Sequence, residues 1–318
     1  MPRLLLSLLA ATGCTPNASS SDLAVPPDPV DSVRPPDAVQ EQLDLAYVPP
    51  NGVNDGLATL DLYRVDDDQQ RPLVLLVHGG SWVSGDKSNF HATAPDFIPW
   101  WIERGYVVAA VNFRLASPLG QALEVGPRDQ ARDIAHALAW LNEQGEERGI
   151  APEGTVAVGY SSGAHLVALL GADGSYLEEA GLPETHLAAT VSLDVHAYDV
   201  PYALDLMVGS QVEQNIPLIE HLFGETTTDQ LSASPIQFTQ GWVAPALFVS
   251  VEPSPEEIGT HGFIVNKAAE NYAAALQAEG HTVTTLHDSD ETHASLATGF
   301  GADDDLVTQT VGAFLEDL

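Results

Sequence analysis

Apolar residues in this chain fall into short unbroken runs, separated by longer stretches in which they recur every three or four positions. The runs at 73–77, 106–113, 155–160, 187–193 and 246–251 have the length of strands and little polar alternation. A strand buried on both faces has that appearance. Segments 43–48 and 59–65 read as earlier strands, the second alternating loosely through Leu60, Leu62 and Val65, with Pro49-Pro50-Asn51-Gly52 as the turn between them. A last strand is expected at 281–287. Between the runs, residues 128–143 place Ala131, Ile134, Ala135, Leu138 and Leu141 at helical spacing. Further helices are expected over 97–102 (closed by Gly105), 164–170, 267–279 and 306–315.

Strand and helix therefore alternate from about residue 43. That order predicts an α/β fold: a mostly parallel central sheet with helices on both faces. Functional loops then gather at the carboxyl ends of the strands. Residues 196–240 are longer than an ordinary connection and carry scattered apolar side chains, which predicts a small cap insertion over the site.

Composition changes this picture in two places. The 318 residues hold 11 Lys and Arg against 45 Asp and Glu, a formal charge of −34. A surface of that sign repels phosphates, which excludes nucleic acid as a partner. The single cysteine, Cys14, forbids an internal disulfide. It follows a basic residue (Arg3), an apolar run at 4–11 and the small residues Ala11-Thr12-Gly13, the layout of a secretory signal over 1–13. Residues 14–40 are rich in Pro, Ser and Asp and read as a semi-extended tether, leaving 41–318 as the folded domain. The apolar run at 4–11 is too short to span a bilayer.

Two loops carry the chemistry. His78-Gly79-Gly80-Ser81-Trp82 follows the run at 73–77, and Gly159-Tyr160-Ser161-Ser162-Gly163 follows the run at 155–158 and leads into a helix. Strand, sharp turn and helix with a serine at the apex lift a hydroxyl clear of the sheet, as a nucleophile requires. The other loop can aim backbone N–H groups at a developing oxyanion. Metal-ligand spacings are lacking, so no catalytic metal and no cofactor are expected.

These loops, with Gly85-Asp86-Lys87, Asn112-Phe113-Arg114-Leu115 and Ala164-His165-Leu166, resemble the α/β-hydrolase esterases. The similarity is greatest to the bacterial esterase and kynurenine-formamidase-like branch, near the hormone-sensitive-lipase-like enzymes. Leu222-Phe223-Gly224 and Ala233-Ser234-Pro235 fit the later segments of that family. The resemblance covers residues 43–318. It implies an α/β-hydrolase fold and a serine hydrolase acting on small acyl esters through an acyl-enzyme, or on amides of the formamidase kind. The rival class is a non-catalytic binding protein on the same fold. Ala11-Thr12-Gly13-Cys14 likewise resembles a bacterial lipobox, implying lipidation of Cys14 and an exported protein that meets the membrane only through that anchor.

On this resemblance Ser161 is the nucleophile, with Gly80, Ser81 and Ser162 as oxyanion-hole donors. The order serine, acid, histidine points to His293, just past the last strand and before a helical stretch. His281 and His287 bracket that strand, His78 braces the oxyanion loop, and His165 packs one turn after the serine. The acid is expected after the strand at 246–251. Glu252 is the first candidate there, Glu256 lies further along that loop, and Asp194 ends the preceding strand. Asp86 and Lys87 are expected either to pair and fix the oxyanion loop or to be solvated.

Overall fold

The computed structural model describes residues 39–49, 56–152 and 154–318. The signal segment, Cys14 and the tether up to residue 38 lie outside the described residues. Strands β1 (Val39–Ala46), β2 (Thr59–Val65), β3 (Leu73–Val77), β4 (Val107–Val111), β5 (Thr155–Tyr160), β6 (Leu187–Leu193), β7 (Ala246–Val251) and β8 (Val283–Asp288) form one eight-stranded sheet in the order β1-β2-β4-β3-β5-β6-β7-β8. The pairs β1/β2 and β2/β4 are antiparallel. From β4 to β8 every pairing is parallel. Strand β1 starts at residue 39, ahead of the expected 43, because Val39–Gln42 pair in register with Leu62–Val65 of β2 at the sheet edge.

The period of two along β3 sorts the core into two layers. Leu73, Leu75 and Val77 lie in the layer that also holds Ile134, Leu138, Leu166, Leu169 and Leu276 of the helices Pro127–Glu143, Ser162–Ala172 and His261–Ala278. Val74 and Leu76 lie in the opposite layer, with Trp101, Phe300, Val307 and Val311 and the helices Phe97–Glu103 and Leu306–Glu316. Each of these leucines is fully buried, or nearly so. Burial of that kind contributes roughly 1.5–3 kcal/mol per side chain.

Residues 196–240 form the helices Val200–Met207, Ile216–Phe223 and Thr227–Leu231 and the 3-10 turn Pro235–Phe238. Ile219, Leu222 and Phe223 bury into the first of the two core layers. The helix expected at 267–279 begins six residues earlier, at His261. Thr260 caps it by accepting the Phe263 N–H at 3.1 Å, and Ile264, Val265 and Ala268 supply its first buried face. No helix among the described residues is long and apolar enough to cross a membrane.

Candidate active site

Strand β5 ends at Tyr160, and Ser161 takes φ 55° and ψ −123° before the helix Ser162–Ala172 starts. That backbone region is costly for a side chain and persists only where the surroundings enforce it. Here the Ser161 N–H donates to the Leu193 carbonyl at 2.8 Å. The turn also needs its two glycines. A Cβ on Gly159 would lie 2.2 Å from the Gly163 carbonyl oxygen, and one on Gly163 would lie 2.1 Å from that of Val77. Only a residue without a side chain permits such an approach.

His293 Nε2 is 3.1 Å from Ser161 Oγ, and His293 Nδ1 is 2.5 Å from Asp194 Oδ2. With Nδ1 facing a carboxylate, the ring carries its proton there and presents a bare Nε2 to the hydroxyl. The sequence sets His293 at its helix start. Thr292 accepts the Ser295 N–H at 3.1 Å, and Ser295 Oγ accepts the Thr292 N–H at 2.8 Å, a reciprocal capping box that makes His293 the first helical residue. Tyr160 braces it from the other side. Its ring stacks on the imidazole at 4.9 Å and its hydroxyl donates to the His293 carbonyl at 2.5 Å. Burial, with Asp194 and Glu252 nearby, pushes the Tyr160 hydroxyl up to about 12, so it stays a donor.

The expectation for the acid is corrected. Glu252 does not touch the imidazole; its Oε1 accepts the backbone N–H of His293 at 2.8 Å. Its own N–H donates to the Glu291 carbonyl at 2.9 Å, so Glu252 ties the end of β7 to the histidine loop. Glu256 is exposed on the loop beyond. The carboxylate on the ring belongs to Asp194, which ends β6 beside β7 and is 1% exposed. Its second oxygen accepts the Val251 N–H at 2.9 Å, so both oxygens are engaged. The glutamate fails at this role for a positional reason: β7 turns away at Glu252 with φ 88°, which points its longer side chain at the helix start and not at the ring.

The loop after β3 makes a tight turn in which Val83 and Ser84 both donate to the Gly80 carbonyl. Ser81 and Trp82 then follow with φ 53° and 64°. No described residue accepts a hydrogen bond from the backbone N–H of Ser81, Trp82 or Ser162. All three residues line the same 220 Å³ pocket as Ser161, Asp194 and His293. Gly80, whose N–H likewise has no acceptor among the described residues, also lines a neighbouring, more apolar cavity of 410 Å³, together with Phe90, Phe97, Tyr160 and Ala297. Gly79 packs closely on the serine turn: a Cβ there would come 2.9 Å from Ser161 Cβ.

The support behind this loop differs from expectation. Asp86 and Lys87 do not pair with each other. Lys87 Nζ lies 2.8 Å from Asp44 and 2.9 Å from Asp61, because the antiparallel edge strands bring both carboxylates under the loop. Asp86 accepts from Asn112 at 2.7 Å, and Asn112 Oδ1 accepts the Lys87 N–H at 2.6 Å. Burial pulls the His78 ring down, and its Nδ1 lies 2.8 Å from the Gly79 carbonyl. His78 also stacks on Phe113 at 4.5 Å, consistent with a bracing role.

Trp82 is held by its indole N–H, which donates to His165 Nδ1 at 3.2 Å. That fixes the proton of His165 on Nε2, which reaches the Ala233 carbonyl at 2.8 Å. His165 is wholly buried, and burial lowers its pKa to about 4. Unfolded, the same ring titrates near 6.5. The unfolded state therefore binds the extra proton first, and His165 subtracts stability as pH falls from about 6.5 toward 4, by on the order of 1–3 kcal/mol. His165→Gln keeps an acceptor and a donor but cannot titrate. Its urea midpoint should fall less than the wild type's between pH 7 and pH 4.5. Equal falls in the two proteins would clear His165 of this role.

Two further histidines enter the pocket that sequence reasoning passed over. His261 meets His293 edge-on at 5.6 Å, and His196 lines the same wall with its Nε2 buried and unpartnered. Burial lowers His196 to about 4, so it is neutral at pH 7. The early start of the helix at His261 is what brings the first of them in. Its only sequence signal was Thr260 three residues ahead of Phe263, a cap that the proline-rich stretch before it obscured.

Comparison with known proteins agrees with this geometry. The BD-FAE family model matches residues 60–250, more than half of the chain. Esterase LipQ of Mycobacterium tuberculosis is 22% identical over 86% of the chain, which spans 61% of that protein's length. The non-reducing polyketide synthase prhL of Penicillium brasilianum is 33% identical over 33% of the chain, which spans only 4% of it. Esterase B of Lactobacillus Rhamnosis superposes with a TM-score of 0.67 at 18% identity, covering 89% of this chain and 86% of that one. With the parallel sheet, the serine turn at the end of β5 and a family match that spans both loops, the chain belongs to the BD-FAE family and has the α/β-hydrolase fold.

Proposed function

We propose that this protein is a serine carboxylic-ester hydrolase that works through an acyl-enzyme. The observation that carries the reading is the line of contacts from Ser161 Oγ to His293 Nε2 at 3.1 Å and from His293 Nδ1 to Asp194 at 2.5 Å. In the first half-reaction Ser161 Oγ bonds to the ester carbonyl carbon as its proton passes to His293 Nε2. The carbonyl oxygen becomes an oxyanion facing the free N–H groups of Ser81 and Ser162, with that of Trp82 beside them. His293 then gives its proton to the alcohol oxygen as that bond breaks. Water repeats the sequence on the acyl-enzyme and restores Ser161. Asp194 holds the ring's tautomer and stabilises the imidazolium in both halves.

Ser161 lines the smaller of two cavities, its neighbour Tyr160 lines the larger, and the two suit unlike parts of a substrate. The 410 Å³ cavity, with Phe90 and Phe97 in its wall, fits an apolar arm and has the size of an ordinary small-molecule site of roughly 300–1,000 Å³. The 220 Å³ pocket, with Asn215, His196 and His261, fits a polar one. LipQ and esterase B, both named as esterases, support the ester over the amide as the bond cleaved.

The test is covalent. A short-chain alkyl p-nitrophenyl phosphonate should stop turnover of p-nitrophenyl butyrate, with one adduct per chain on the peptide that contains Ser161. An adduct elsewhere, or full activity after labelling, would overturn the reading.

A further inference from the structure

We propose that Asp194, His261 and His293 form an inhibitory site for a borderline transition-metal cation such as Zn²⁺. One donor atom from each residue lies within 4.8 Å of the others. Two imidazoles and a carboxylate are the donor set that zinc favours. Bonds of about 2.0–2.1 Å in a tetrahedron place neighbouring donors about 3.3 Å apart, so Asp194 Oδ2 and His293 Nδ1, 2.5 Å apart, must open by about 0.8 Å and His261 must swing inward. His261 can supply that movement. It is partly exposed at the first position of its helix and, among the described residues, has no side-chain hydrogen bond, meeting His293 edge-on at 5.6 Å. A second observation also points to a ligand in this pocket. His196, in the same wall, has a buried Nε2 with no hydrogen-bond partner among the described residues.

The site has a chemical consequence for the histidine. Asp194 lies on the Nδ1 side of His293, so a cation bridging the two takes Nδ1. The proton held there moves to Nε2, since a neutral imidazole with a metal on one nitrogen carries its hydrogen on the other. Nε2 then faces Ser161 as a donor and cannot accept the hydroxyl proton. No proton is lost and no bond to Ser161 is needed; the ring is locked in the unproductive tautomer. Mg²⁺ and Ca²⁺ prefer oxygen donors and larger ligand sets, so they should not reproduce the effect.

The inhibition rests on the esterase reading, whereas the binding does not, and the experiment separates them. Zn²⁺ is titrated calorimetrically into Ser161→Ala protein in excess Mg²⁺, which occupies the acidic surface. One saturable site is expected, weakened at least about tenfold in Ser161→Ala/His261→Ala. In parallel, p-nitrophenyl butyrate turnover is followed in wild type and His261→Ala, each relative to its own metal-free rate. Wild type should be inhibited, with recovery on adding EDTA, and His261→Ala should need at least about tenfold more Zn²⁺. Equal zinc affinity with and without His261, no saturable site, or equal inhibition by Mg²⁺ would overturn the proposal. If the protein turns over no ester, the calorimetric arm still decides the metal site, and the esterase reading alone fails.

Discussion

Replacing Ser161 with alanine should lower kcat for p-nitrophenyl butyrate by on the order of 10⁴–10⁶-fold while leaving KM within a few-fold. The size of the loss follows from what is removed. On the proposed mechanism, loss of Oγ prevents the acyl-enzyme and leaves His293 nothing to deprotonate at 3.1 Å. The remaining rate comes from polarisation of the carbonyl by the free N–H groups of the oxyanion loop and from binding, neither of which needs the hydroxyl. Folding should be unaffected, because Ser161 keeps its backbone bond to Leu193 and alanine is scarcely smaller. Equal thermal midpoints for the two proteins would confirm that the loss is chemical. A variant that kept more than about a hundredth of the wild-type kcat would remove Ser161 from the mechanism.

The second large effect separates two acidic residues that sequence order could not. Asp194→Asn should lower kcat about 10⁴-fold, since an amide on Nδ1 can no longer enforce the productive tautomer or balance the imidazolium. Glu252→Gln should cost about tenfold or less. Its oxygen accepts a backbone N–H, and an amide oxygen accepts one as well. The measurement is kcat for both variants on one ester at one pH. A larger loss in Glu252→Gln than in Asp194→Asn would return the acid to the end of β7.

The misplaced acid shows where sequence reasoning reached its limit. Order along the chain put both carboxylates at strand ends, and strand ends on one edge of a parallel sheet are only one strand spacing apart. Choosing between them depends on how the chain leaves each strand. Asp194 leaves β6 with φ 59° and its carboxylate buried on the ring; Glu252 leaves β7 with φ 88° and its carboxylate on a helix terminus. Such exit angles arise from packing and have no local signature. Lys87 carries the same lesson. The sequence leaves it either paired with its neighbour Asp86 or solvated, yet Asp44 and Asp61 reach it across two antiparallel strands.

The buried strands β3 to β7, the serine turn and the place of His293 were legible along the chain. Each of these is local physics: unbroken apolar runs that need burial on both faces, glycines where a Cβ would strike a carbonyl, and a threonine cap that starts a helix on the histidine. Tertiary structure alone decided which carboxylate meets the ring, which carboxylates hold Lys87, and that His196 and His261 share the pocket with Ser161. Those contacts join residues tens of positions apart, and they exist only once the sheet has set the spacing and direction of its strand ends.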